Sequence, residues 1–122
     1  MLSSLEGNNL LNDLSTINEE LTRLIGALRT AINGFETAIK DAAEKRTQYD
    51  VEWAKALLSI GEGTQKVKEA EATLIVQSFM REARIAEATR DAFKERVRAI
   101  ETTITVQQSR LKFLTDTESS NY

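Results

Sequence analysis

The fold is decided by residues 76–114, which read VQSFMREARIAEATRDAFKERVRAIETTITVQQSRLKFL. Mostly apolar side chains recur in this stretch in steps that alternate between three and four residues without a slip. The members of this row are Val76, Phe79, Ala83, Ala86, Arg90, Phe93, Val97, Ile100, Ile104, Gln107, Leu111 and Leu114. Such a heptad repeat is typical of a helix that packs along one seam against another helix. It predicts a long helix over about residues 65–114.

A second run with helical periodicity lies between about residues 10 and 60, and no proline interrupts it. Its apolar row comprises Leu14, Ile17, Leu21, Leu24, Leu28, Ile32, Phe35, Ile39, Ala42, Tyr49, Trp53, Leu57 and Ile60. Gly26 and Gly34 lie inside the run, but the row keeps its phase across both glycines, which predicts one helix. Ser3 and Glu6 have the spacing of a capping box, which predicts a short helical segment before this helix.

Residues 61–64, Gly-Glu-Gly-Thr, separate the two helical runs. The glycines can end the first helix, and Thr64 is a good N-cap for the second. A connector this short makes the helices antiparallel, so we predict an all-α helical hairpin that resembles a coiled coil. Its length suits a single domain over residues 1–122, and the small polar residues 115–122 predict a flexible tail.

The position of the connector also predicts a register between the two helices. Residue numbers that face each other should sum to about 125 when the loop is tight. This register pairs Ile32 with Phe93, Phe35 with Arg90, and Arg46 with Phe79.

The second helix carries another apolar row, which lies roughly 120° around the helix from the seam. This outer row consists of Leu74, Ile85, Ala88, Ala92, Ala99, Val106 and Phe113. One row can pack on the first helix, but the chain offers no third long helix to cover the other. The outer row therefore predicts an oligomer interface, through which copies of the chain assemble into a helical bundle.

The composition excludes several classes of chemistry. The chain has neither cysteine nor histidine, which removes thiolate nucleophiles, imidazole bases and the usual ligands of zinc, haem and iron–sulfur clusters. Charged side chains of both signs alternate along the helices, as on a solvated surface. We expect no catalytic residue, metal or cofactor, and no enzyme activity.

The hydropathy pattern also indicates the cellular compartment of the protein. No apolar run approaches the roughly 18 to 20 residues that a membrane span requires, and the N-terminus lacks the pattern of a secretory signal. We expect a cytoplasmic protein without a membrane partner.

Basic and aromatic side chains are the candidates for binding a ligand or partner: Arg46, Arg81, Arg84, Arg90, Lys94, Arg98, Tyr49 and Trp53. Arg46 and Arg90 interrupt the apolar seams, where a charge is costly unless it is paired or reaches water. Each aliphatic stem either packs on a facing phenylalanine or carries its guanidinium to a ligand. Tyr49 and Trp53 are either core residues or an aromatic anchor for a partner.

The charge balance limits the classes of ligand that the chain can bind. Residues 81–98 contain six basic and four acidic side chains, and the whole chain has a net charge of -3. This mixture argues against strong binding of duplex DNA, which requires several cations on one face. A protein, or a small anionic nucleotide held between subunits, fits the charges better.

Three stretches resemble a known group of proteins: YDVEWAKALL at residues 49–58, KEAEA at 68–72 and FKERVRAI at 93–100. Over about residues 45–114 the chain is similar to small, poorly characterised α-helical accessory proteins of tailed bacteriophages. The resemblance implies an early-expressed phage protein in the host cytoplasm. It transfers no functional residue to this chain.

Three functions are compatible with these features. The first is an oligomeric binding protein that neutralises a host factor, either by binding a protein or by sequestering an anionic signalling nucleotide. The second is an accessory protein of phage recombination or replication that binds single-stranded DNA or a recombinase. The third is a structural coiled-coil adaptor.

Overall fold

The computed structural model describes the backbone of residues 4–120 and the side chains of residues 9–117. Ser3 of the predicted cap and residues 121–122 of the predicted tail lie outside that range. Three helices follow one another: α1 spans Ser4–Ser59, α2 spans Gln65–Ile75 and α3 spans Gln77–Ser120. No strand occurs in residues 4–120. The predicted all-α class is confirmed, with two long helices joined through a short one.

The two long helices extend further than the sequence predicts. α1 begins at Ser4 rather than near residue 10, so the expected short segment and the long helix form one element. α3 continues to Ser120, through most of the stretch that was expected to be a flexible tail. The Thr115 hydroxyl donates a hydrogen bond of 2.8 Å to the Leu111 carbonyl oxygen. Because this bond satisfies the polar side chain inside the helix, threonine does not end α3.

The connector between α1 and α2 uses a glycine and a threonine in specific ways. Gly63 has a φ of 118°, a conformation that residues with a side chain rarely adopt. Thr64 is the N-cap of α2, and its Oγ1 accepts a hydrogen bond of 3.3 Å from the Val67 amide. This bond satisfies one of the free amides at the helix start. The predicted N-cap role of Thr64 is confirmed, whereas the positive φ of Gly63 serves the entry to α2 rather than the end of α1 at Ser59.

Val76 separates α2 from α3, a break that the sequence does not predict. Its φ of -97° and ψ of 13° depart from helical values. The Val76 amide nevertheless donates to the Ala72 carbonyl, and the Val76 carbonyl accepts from the Met80 amide, each at 3.0 Å. The backbone hydrogen bonds therefore continue across the single interrupting residue.

The chain divides into two compact units. The first unit comprises residues 1–32 and 95–122, and the second unit comprises residues 33–94. In the first unit the buried side chains are Ile17, Leu24 and Ala31 of α1 and Val97 of α3. In the second unit a core cluster consists of Ala56, Ala72 and Val76, with Tyr49, Trp53, Leu57, Ile60 and Phe79 packed against it. Each unit thus buries its own part of the apolar rows.

The predicted seam of the second helical run is confirmed. Every member of the row from Val76 to Leu114 is buried or half-buried. The row runs unchanged through α3 because each step of the heptad pattern places the next side chain on the same face.

The predicted row of α1 is wrong at two isoleucines. Ala31 and Ala38 are 2% and 6% exposed, whereas Ile32 and Ile39 are 38% and 44% exposed. A strict heptad count from Leu24 leads to positions 31 and 38, which alanines occupy. The larger isoleucines lie one residue further along, so side-chain size was a misleading guide to the seam.

The predicted register is also wrong, by two positions, within the second unit. The Phe93 ring faces Gly34, where the register had placed Ile32. Glu82 lies beside Lys45 at 3.9 Å, which shows the same displacement. A Cβ atom at position 34 would lie 2.8 Å from Cζ of Phe93. Glycine therefore provides the space that the phenylalanine ring occupies in the seam.

Candidate binding surface

The outer row is exposed in both units. The second unit contributes Leu74 at 71% exposure, Ile85 at 59%, and the exposed Ala88 and Ala92; the first unit contributes Val106 at 53%, Phe113 at 69%, and the exposed Ala99. None of these seven side chains is covered by the chain itself. Exposure is what an interface with another molecule requires, while the predicted oligomer interface itself stays a prediction.

The outer row of the first unit borders a groove of about 550 Å³, which we call the Phe113 groove. Its lining residues are Asp13 of α1 and Thr105, Val106, Ser109, Arg110, Phe113 and Leu114 of α3. Asp13 and Arg110 have opposite charges, and within the described residues neither forms an ion pair. Arg110 instead donates a hydrogen bond of 3.3 Å to Oε1 of Gln107. The groove thus combines an apolar floor with one free charge of each sign.

The outer row of the second unit borders a different groove of about 480 Å³, which we call the arginine groove. All of its lining residues come from the second helical run: Thr73, Leu74, Gln77, Met80, Arg81, Arg84, Ile85 and Ala88. Arg81 and Arg84 form no ion pair with any residue that the structure describes. This groove therefore presents two cations beside apolar side chains and contains no carboxylate.

The acidic residues of the same stretch point toward α1 instead. Glu82 lies 3.9 Å from Nζ of Lys45, and Glu87 is bonded to Arg46. Their charges are therefore compensated by α1. The arginine groove has Arg81 and Arg84 and no carboxylate among its lining residues, which makes it locally basic although the whole chain is acidic.

Arg46, a predicted ligand residue, is engaged within the second unit. Its Nε donates a hydrogen bond of 3.0 Å to Oε1 of Glu87, and its NH2 group bonds the same oxygen. The guanidinium carbon lies 5.4 Å from the centre of the Tyr49 ring, within range of a cation–π interaction. The aromatic ring beside Arg46 is thus that of Tyr49 rather than the predicted Phe79. A ligand at Arg46 would have to displace these contacts.

Two more predicted cations are paired locally. Arg90 forms an ion pair with Asp91 at 3.1 Å, and Arg98 forms one with Glu95 at 3.3 Å. Lys94 is exposed and forms no ion pair with the described residues. Of the predicted cations, Arg81 and Arg84 are thus the two that line one groove together and form no ion pair with the described residues.

Tyr49 and Trp53 belong to the core side of the second unit. Their rings stack with centroids 6.4 Å apart and an angle of 28° between the planes. Both are half-buried against the cluster that contains Val76. This placement matches the core alternative that the sequence left open, rather than an exposed aromatic anchor.

Among the described residues, no three carboxylates cluster as a metal site would require. The hydrogen bond and charge of Arg23 lower the pKa of the Glu20 carboxyl below its ordinary value of 4.5, but this pair is exposed on α1. Catalytic carboxylates more often owe their shifts to burial in a cleft. Within residues 4–120 no helix combines the length and apolarity of a membrane span.

Several residues of the two grooves were not predicted from the sequence. Asp13 was missed because its proximity to Arg110 depends on how α1 packs against α3. Ser109 occurs four residues before Phe113, and Gln77 three residues after Leu74. A helical wheel drawn around the outer row would have identified both.

The chain was also compared with known protein families, with curated proteins and with solved structures, and no match was found in any of the three comparisons.

Proposed function

We propose that this protein is a non-catalytic helical binding protein whose copies associate through the outer row. The observation that carries the proposal is the exposure of four large apolar side chains on that row: Leu74, Ile85, Val106 and Phe113. Removing apolar surface from water contributes about 25 cal/mol per Å². A row with heptad spacing supports a contact with another helix, because such a row stays in phase along the whole interface.

The Phe113 groove supports a two-fold contact between first units. In a two-fold interface the same surface serves both copies, so an acid and a base on one surface can pair reciprocally. Asp13 of one copy would meet Arg110 of the other, and the reverse. Ser109 lies between Val106 and Phe113 and is small enough to let the two helices approach. Phe113 of each copy then fills the groove of its partner.

Substitution of Val106 by glutamate tests this interface. The charge would be placed in the apolar floor of the Phe113 groove, where it opposes burial against another copy and competes with Asp13 of that copy for Arg110. We expect Val106→Glu to lower the mass measured by light scattering to that of one chain, while the circular dichroism spectrum stays helical.

Gln108→Glu is the matched control, because Gln108 is exposed on the same helix outside the groove. It adds the same charge and should leave the assembly intact. Equal masses for the two variants would argue against an interface at Val106.

We further propose that the assembled protein neutralises a host factor, in the host cytoplasm if the chain is encoded by a phage, as the resemblance implies. Its target is a host protein or a small anionic signalling nucleotide. Arg46, Arg90 and Arg98 are each paired with a carboxylate of this chain. Together with the net charge of -3, this pairing weakens the attraction to a nucleic-acid backbone, which supports these targets over single-stranded DNA.

A further inference from the structure

We infer that the arginine groove of the second unit binds an acidic amphipathic helix of a partner protein. The inference rests on the proposed binding function and specifies the class of partner. It also divides the outer row into a part for self-association in the first unit and a part for a different protein in the second.

The dimensions of the arginine groove fit a helix. It follows residues 73–88, which at 1.5 Å per residue extend over about 24 Å. Leu74 and Ile85 are exposed toward its two ends, and Ala88 leaves room for a close backbone. An amphipathic helix binds such a surface with apolar side chains at positions i, i+3, i+4 and i+7. A partner segment of about four turns would cover the whole groove.

The charges determine which helix fits. Arg81 and Arg84 lie three residues apart and both line the groove, and the nearby Glu82 and Glu87 are occupied by Lys45 and Arg46. Glutamates or aspartates flanking the apolar side chains of a partner would pair with both guanidiniums. A second copy of this groove would instead bring guanidinium groups together, which is repulsive. The groove is therefore complementary to an acidic helix and not to itself.

A labelled peptide provides the test. The probe is a fluorescein-labelled helical peptide of about 18 residues with leucines at i, i+3, i+4 and i+7 and glutamates on both flanks. Its binding to the full chain is measured by fluorescence anisotropy at low and high salt. We expect saturable binding that weakens as salt screens the charges. Arg81→Glu combined with Arg84→Glu should weaken it at least tenfold.

Two matched controls distinguish a general effect of net charge from a specific effect at the arginine groove. Arg29→Glu with Arg96→Glu makes the same change in net charge at two exposed arginines of the first unit and should bind the peptide like the unchanged protein. A peptide in which lysines replace the glutamates should not bind. Equal binding of the lysine peptide, or equal weakening by both double variants, would overturn the inference.

Other occupants give different results. If the unchanged protein does not bind the acidic peptide, the inference is wrong. It is equally wrong if a single-stranded oligonucleotide or a cyclic nucleotide displaces the peptide from the groove at lower concentration than unlabelled peptide does. Val106→Glu should still bind the peptide as a single chain, because its substitution lies in the first unit. Failure of self-association and failure of the arginine groove can thus be told apart.

Discussion

Two faces of the second helical run have similar apolar patterns and different surroundings. Ala86 on the seam is 5% exposed, whereas Ala88 on the outer row is open to solvent two residues later. Near the start of the run Val76 is 1% exposed and Leu74 is 71% exposed. The difference arises because α1 covers only the seam. An apolar heptad row therefore indicates a contact surface, while the partner that covers it has to come from elsewhere in the chain or from another molecule.

The largest effect that this comparison predicts comes from placing a charge on each face. Ala86→Glu buries a carboxylate without a partner, and we expect it to lower the free energy of unfolding by about 3 kcal/mol or more. Ala88→Glu leaves its carboxylate in water and should change that free energy by less than about 0.5 kcal/mol. Thermal melts followed by circular dichroism measure both. Similar melting temperatures for the two variants would mean that the faces do not differ as described.

The two glycines of α1 extend the comparison to the other side of the seam. A methyl group at Gly26 would meet no atom within 4 Å, whereas a methyl group at Gly34 would overlap the Phe93 ring. Alanine favours a helix over glycine by about 1 kcal/mol. Gly26→Ala should therefore stabilise the protein by about 0.5 to 1 kcal/mol. Gly34→Ala should destabilise it by about 1 kcal/mol, because the overlap outweighs the propensity.

Denaturant unfolding of both variants measures these opposite signs. Stabilisation by Gly34→Ala equal to that by Gly26→Ala would show that Phe93 does not pack against position 34.

The smallest expected effect distinguishes paired from unpaired arginines. Arg46→Gln removes the partly exposed ion pair with Glu87 and should cost less than about 1 kcal/mol, with a smaller cost at high salt. Arg81→Gln removes no ion pair and should leave the free energy of unfolding unchanged. A double-mutant cycle with Glu87→Gln isolates the pair. A coupling energy of zero would mean that Arg46 is as free to bind a ligand as Arg81.

Much of the fold follows from the sequence because large apolar side chains mark most heptad steps of α3. The seam of α1 was harder to predict, since Ala31 and Ala38 give a weak signal next to Ile32 and Ile39. The errors in the predicted row of α1 and in the predicted register arise where a small residue, rather than a large one, lies in the seam.

The break at Val76 also has only a weak sequence signal, because no glycine or proline marks it and the β-branched Thr73, Ile75 and Val76 lower helix propensity only slightly.

The candidate site was predictable only in part. Periodicity alone predicts the exposed outer row, because a row about 120° away from the seam cannot contact α1. The pairing of Arg46 with Glu87 depends on the register of α1 against α3, which the sequence placed two positions away. The sequence therefore could not separate the paired Arg46 from the free Arg81 and Arg84.

The mass of the protein in solution tests the central claim most directly, that another copy of the chain covers the outer row of the first unit. Sedimentation equilibrium over a range of concentrations gives this mass without a label or a substitution. We predict a mass at least twice that of the single chain of 13.7 kDa, falling toward that value on dilution. A mass of 13.7 kDa at every concentration would contradict the claim.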